Sequence, residues 1–110
     1  MAASKDPFSP QLQEVIKRIV ATANPEKIVL FGSRARGDHR PDSDFDFLVI
    51  KKSVEPRYRR AIAIRHAIAG LLPSKDILVY TPDEVTEWQD VPNAFITTIL
   101  SQGRTLYEKK

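Results

Sequence analysis

No cysteine occurs in this 110-residue sequence. Disulfide frameworks, thiolate zinc sites and thiol nucleophiles are thereby excluded. No apolar run approaches the length of a membrane span, and the opening stretch from Met1 to Pro10 is polar, with no apolar signal core. Internal repeats and low-complexity segments are missing too. So is a strong charge of one sign: Lys+Arg 17 against Asp+Glu 14 leaves a net +3. That mild excess suits an anionic ligand but is not in itself a nucleic-acid signature. A soluble, cytoplasmic protein is expected. The length suits one domain over 1–110 with a real core, preceded by a loose lead-in over 1–8. A chain this short has no room for two substrate-binding domains, so a large substrate must bring its own contacts.

What the chain does contain is an alternation of helical and extended patterns. Ser9-Pro10 can cap and start a helix. Leu12, Val15, Ile16, Ile19, Val20 and Ala23 then follow at helical spacing until Asn24-Pro25 stops it. Ile28 to Phe31 reads as a buried strand and Arg34 to Gly37 as one helical turn or a loop. The polar stretch Asp38 to Ser43 reads as a loop, and Phe45 to Ile50 as a second strand. A helix is expected from about Pro56 to Leu72, with an exposed basic side of Arg57, Arg59, Arg60 and Arg65. A third strand spans Ile77 to Tyr80. Thr81 and Glu84 fit a capping box for a short helix ending near Trp88. A last helix is expected over Asn93 to Gln102, with Phe95, Ile96, Ile99 and Leu100 inward. Gly103 ends it before a short strand over Thr105 to Tyr107. This order implies an α/β (α+β) fold, a small mixed sheet with helices packed against it.

Asp44 and Asp46 stand two apart at the start of the second strand, so both point to one face, while Phe45, Phe47 and Val49 take the other. Two carboxylates so close repel unless a proton or cation lies between them, and hard oxygen ligands suit Mg²⁺. A solvated acidic strand end is the plain alternative. An EF-hand is not, because Phe47 stands where its glycine belongs and Ser53 where its bidentate Glu belongs.

Gly32-Ser33 closes the first strand. Glycine lets a ligand approach the backbone, and amides at the start of the next turn can cradle phosphate oxygens. Ser33 adds a hydroxyl, and Arg34 and Arg36 add charge. A P-loop is not supported, since Asp38 and His39 occupy its Lys and Ser/Thr positions. The dinucleotide fingerprint fails at Arg34, where its second glycine belongs. A plain strand-exit glycine is the remaining alternative.

Joined, the two signals say more. A strand ends in Gly-Ser, ten residues intervene, and the next strand opens Asp-Phe-Asp. Neighbouring strands would set a phosphate cradle beside a metal-binding acid pair, as phosphoryl or nucleotidyl transfer requires. Asp76 begins the third strand and can join the pair, or can simply be a turn residue after Pro73-Ser74-Lys75.

Gly32-Ser33, the spacer with Ala35-Arg36-Gly37, then Ser43-Asp44-Phe45-Asp46, resemble the signature of the DNA polymerase beta-like nucleotidyltransferase superfamily. Asp76-Ile77-Leu78-Val79 looks like its third acidic strand. The small size and the Gly-Ser-Arg-Ala-Arg-Gly wording look like the minimal nucleotidyltransferases, of which many are antitoxins to HEPN-type ribonuclease toxins. The resemblance implies that Gly32 and Ser33 hold the triphosphate of ATP. Asp44 and Asp46 would hold two Mg²⁺ ions, and Asp76 would complete the second metal site and help deprotonate the attacking hydroxyl. Arg36 and Ser43 fall in the same nucleotide-binding region. The implied activity is transfer of AMP to a tyrosine of a HEPN toxin. A binding-only antitoxin and a small-molecule nucleotidyltransferase are the alternatives. A template-directed polymerase is disfavoured for want of a strand-gripping domain, and direct nucleic-acid binding is not expected. The hydroxyl substrate must arrive with a partner, or a homo-oligomer must build the site. Trp88 and Phe95 are expected in the core or at a partner interface, not as a base-stacking platform, because no aromatic pair brackets a basic groove.

Overall fold

The computed structural model describes residues 9–88, 90, 91 and 94–110. The expected lead-in over 1–8 and the expected helix start at Asn93 lie outside the described residues. The first helix, α1 (Pro10–Ala23), begins as its sequence dictates. Ser9 Oγ accepts the Leu12 amide at 3.2 Å, satisfying one of the donors that every helix start leaves over. Leu12, Val15, Ile19 and Ala23 are its buried stripe. Asn24 ends it in the left-handed region at φ 48°, with its amide donating to the Val20 carbonyl.

The strands are β1 (Lys27–Phe31), β2 (Phe45–Ile50), β3 (Lys75–Tyr80) and β4 (Arg104–Glu108), in the sheet order β3-β2-β1-β4. β1 is antiparallel to β2 and to β4, while β2 and β3 are parallel, so the sheet is mixed. β1 and β2 read as continuous apolar runs because helices cover both faces. On one face Ile28, Leu30, Phe47, Val49, Ile77 and Val79 meet Leu12, Val15 and Ile19 of α1 and Ile64. On the other, Val29, Leu48 and Ile50 meet Ile96 and Ile99, with Leu78, Tyr80 and Val85 packed around them. Alternation along each strand sets this division. It also puts Asp46 and Asp76 on the second face, beyond the end of its apolar core.

The remaining helices are short: α2 (Ser33–Arg36), α3 (Arg57–Arg60), α4 (Ile62–Ala67), α5 (Pro82–Trp88) and α6 (Phe95–Gln102). Thus the helix expected from Pro56 to Leu72 is two pieces that stop at Ala67. Ala61, Ile64, Ile68 and Leu72 keep helical spacing and are buried. Neither piece has a side-chain cap, Ala61 interrupts at φ −92° and ψ −4°, and Gly70 turns the chain away at φ 82°. The expected basic face is also only partly solvated. Arg60 turns inward, with its side chain 9% exposed, and bonds the Glu55 and Val79 carbonyls and the Glu84 carboxylate. Arg57 lies over the Tyr80 ring at 4.5 Å.

Glu84 joins two parts of the fold. In the capping box of α5 its Oε1 accepts the Thr81 amide at 2.9 Å, and its own amide donates to Thr81 Oγ1 at 3.2 Å. The same carboxylate takes both Arg60 Nη1, at 2.8 Å, and Arg60 Nη2, at 3.2 Å. Arg60, helped by the Thr81 amide, lowers the Glu84 pKa from 4.5 to about 2. A depressed carboxylate stabilises the fold fully above its unfolded pKa and loses that contribution as pH falls through its folded one. Acid unfolding titrations should therefore show stability falling between pH 4.5 and about 2. Glu84→Gln should remove on the order of 1–2 kcal/mol of that pH-dependent loss, after screening of the partly solvated pair.

Gly103 ends α6 as expected, but not through an unusual dihedral. It is extended at φ −79°, and a Cβ there would lie 2.5 Å from Val29 Cγ1 and 2.6 Å from the Ile99 carbonyl oxygen. Its role is to let the helix end run tightly against β1.

Candidate active site

Gly32 leaves β1 at φ 78° and ψ −159°, a conformation open essentially to glycine alone. The reason for a missing side chain is also spatial: a Cβ on Gly32 would overlap Asp46 Oδ2. The glycine turn and the second acid of the pair are thus in direct contact. The register explains it, because Phe31 pairs with Asp46 across β1 and β2. On the other side of β2, Asp46 pairs with Asp76 in the parallel register. One carboxylate therefore stands between the glycine turn and the third acid.

The electrostatics follow from this placement. Burial pushes the Asp46 carboxyl above its ordinary value, and the charges of Asp76 and then Asp44 push it further, while Arg36 pulls it down. Asp44 and Asp76 each lean on a neighbour. The Ser74 hydroxyl donates to Asp44 Oδ1, and Arg65 Nη2 lies 4.0 Å from Asp76 Oδ1, with both side chains about half exposed. Among the described residues, no three carboxylates or imidazoles stand gathered as a finished metal-ligand cluster. The donor set nonetheless fits a hard divalent cation. It offers oxygen ligands only, and the like-charge crowding at Asp46 is what a cation relieves. To share one, Asp44 would turn from Ser74 and Asp76 from Arg65.

Ser33 opens α2, whose first amides have no intrahelical carbonyl to bond, as at any helix start. Arg36 is exposed and pairs with Asp38 at 3.3 Å. Ser43 is engaged within its own loop: its hydroxyl accepts the Arg40 amide at 2.8 Å, and its amide donates to the Arg40 carbonyl. Arg34, read from the sequence only as added charge, is instead the staple of this loop. Its guanidinium donates to the carbonyls of Ser43, at 3.1 Å, and Pro41, at 3.1 Å, and lies 3.8 Å over the Phe45 ring. It thereby fixes the segment that delivers Asp44. Beside Gly32 opens a cavity of about 250 Å³ between Phe31, Arg36 and the α6 residues Phe95, Thr98 and Gln102. The sequence offered no signal for it. Phe95, expected to point inward, is 56% exposed, and Trp88 is 45% exposed, so neither belongs to the core. α6 buries Ile96 and Ile99 instead, which turns Phe95 outward.

The family described as Polymerase beta, Nucleotidyltransferase matches residues 13–110. The chain belongs to that family. No curated protein matches it. Among solved structures, this nucleotidyltransferase chain is similar to a crystal structure from Sulfolobus solfataricus, provisionally described as a nucleotidyltransferase. The two are 20% identical with a TM-score of 0.64, over 91% of this chain and 79% of that one. It is also similar to a crystal structure described as a toxin-antitoxin with AMP-PNP. That pair is 20% identical with a TM-score of 0.53, over 89% of this chain and 73% of that one. These likenesses agree with the small mixed sheet and its flanking helices. Among the described residues, no helix is long and apolar enough to cross a membrane.

Proposed function

We propose that this nucleotidyltransferase moves AMP from ATP onto a tyrosine hydroxyl of a HEPN-type toxin and so acts as its antitoxin. The observation that carries the reading is the contact of Asp46 with Gly32, opposite Asp76 in the register. It sets a backbone that a phosphate can approach against carboxylates that call for a cation. The antitoxin part draws its support from the structural neighbour described as a toxin-antitoxin with AMP-PNP.

In this reading Gly32 and Ser33 hold the triphosphate, with Arg36 adding charge near it. Asp44 and Asp46 would hold two Mg²⁺ ions, and Asp76 would complete the second site. The ions would supply charge neutralisation at the phosphates and lower the pKa of the attacking hydroxyl. The hydroxyl oxygen forms a bond to the α-phosphorus as the bond to the bridging oxygen breaks. Pyrophosphate leaves, and the hydroxyl proton passes to the Asp76 carboxylate. Asp76 is exposed, as suits a group that must reach a hydroxyl arriving on another molecule.

A second reading is a binding-only antitoxin. The exposed Trp88, Val91 and Phe95 favour it. The Thr97 hydroxyl ties that surface together through the carbonyls of Trp88, at 3.1 Å, and Val91, at 2.8 Å. A partner can cover such residues without any chemistry. Intact-protein mass spectrometry separates the two. The chain is mixed with Mg²⁺, each nucleoside triphosphate in turn and its co-purifying partner, with Asp44→Asn in parallel. AMP-sized mass steps on the partner, absent with the variant, are expected. A stable complex with no step for any nucleotide would leave only the binding-only reading.

A further inference from the structure

The cavity beside Gly32 is walled by aromatic and apolar groups. Two phenyl rings stand at its wall, Phe31 and Phe95, edge to face with centroids 6.0 Å apart and planes at 88°. Phe95 leaves more than half of its surface exposed, although Ile96 and Ile99 of the same helix are buried. No aromatic pair stands beside a basic group in the linear sequence, because the two rings lie far apart along the chain. The fold brings them together with the Arg36 guanidinium alongside.

We propose that this cavity seats the base of the nucleotide, against the open face of Phe95, and favours purines over pyrimidines. The proposal rests on the nucleotide reading of the Gly32–Asp46 site and names the subsite that recognises its ligand. Gly32 is a shared wall: one side touches Asp46, and the other lines the cavity. A ligand with its phosphates at Gly32-Ser33 therefore reaches an apolar, aromatic-walled space without leaving the residue that anchors it. Arg36 lines the cavity and also acts on Asp46, so a cation stands where the polyanionic part of the ligand passes. The far rim is polar. Gln102 offers an amide with both donor and acceptor, and the Thr98 hydroxyl spends its proton on the Ala94 carbonyl, at 3.3 Å, keeping acceptor capacity. Stacking on an aromatic face is available to every base and grows with ring area, which is the origin of the purine preference.

The test is isothermal titration calorimetry of the full chain in Mg²⁺ buffer, with ATP, CTP and inorganic tripolyphosphate as probes. Wild type should bind ATP more tightly than CTP, and both more tightly than tripolyphosphate. Phe95→Ala should weaken ATP about ten-fold while leaving tripolyphosphate unchanged, as loss of a stacking partner does. Thr98→Phe, which fills the cavity from an exposed position, should do the same. Unchanged far-UV circular dichroism would show that both variants fold. ATP binding unaltered in both variants, or an equal loss for tripolyphosphate, would overturn the cavity assignment and leave the phosphate site standing. Wild type binding neither ATP nor tripolyphosphate would overturn the site reading and this assignment together.

Discussion

Asp46→Asn should abolish nucleotide transfer while making the metal-free protein more stable. The two effects have one cause. Asp46 is pressed between the Gly32 turn and the negative charges of Asp76 and Asp44, and its carboxyl is held above the ordinary value of 3.8. A raised carboxylate means that the folded state keeps the proton longer than the unfolded chain does. Stability is then lost as pH rises through the interval above 3.8, and at neutral pH the charge opposes folding. Asparagine has nearly the same shape and no charge. Its melting temperature without divalent ions should exceed that of wild type at neutral pH by about 2–4 °C, and the difference should shrink as pH falls toward 3.8 and below, where the wild-type carboxyl takes up its proton. Transfer to the partner should meanwhile fall at least about 100-fold, as when a group that stabilises developing charge is removed. Thermal melts and transfer assays on the same preparations check both halves. A variant less stable than wild type at neutral pH would refute the account of crowding.

Gly32→Ala should damage both the fold and the site. Its φ of 78° with ψ of −159° is strained for any residue with a side chain, at a cost of about 1–3 kcal/mol. The added methyl also overlaps Asp46 Oδ2, so Asp46 must rotate or the β1 end must shift. About 2–4 kcal/mol of destabilisation in a denaturant titration is expected, together with loss of measurable tripolyphosphate binding. Combining it with Asp46→Ala supplies the control, because removing the opposing carboxylate should recover part of the stability and none of the binding. Gly37 marks the contrast. Its φ is also positive, at 89°, but no atom lies within 4 Å of a Cβ there, so Gly37→Ala should show only the dihedral cost.

How much of this was legible in the sequence depended on how far the responsible contact reaches along the chain. Ser9, Asn24, Thr81 and Glu84 act within a few residues, and their caps were readable. β1 and β2 were readable because burial on both faces leaves unbroken apolar runs. The pairing of Gly32-Ser33 with Asp44-Phe45-Asp46 was readable because one short loop joins them. Three features needed the fold. Arg60 belongs by spacing to an exposed basic stripe, and only the approach of α5 supplies the Glu84 that turns it inward. Phe95 belongs by spacing to a buried stripe, yet Ile96 and Ile99 take the core. Arg34 read only as added charge near the glycine turn, but three carbonyls of the following loop capture its guanidinium. In each case the deciding partner is an atom that periodicity cannot see.

The sheet order also governs how this molecule is assembled by a ribosome. β1 is an inner strand, and one of its two neighbours is β4, formed by residues 104–108. Until that segment emerges, one edge of β1 keeps unpaired amides and carbonyls, and Leu106 is missing from the buried cluster. The nascent chain thus carries an open template for foreign strand pairing until Arg104–Glu108 has emerged. Among the strands described, β1 is the first made and is enclosed only when β4 pairs with it, so quality control of the nascent product and completion of the strand that leads into the Gly32 turn converge on the same event.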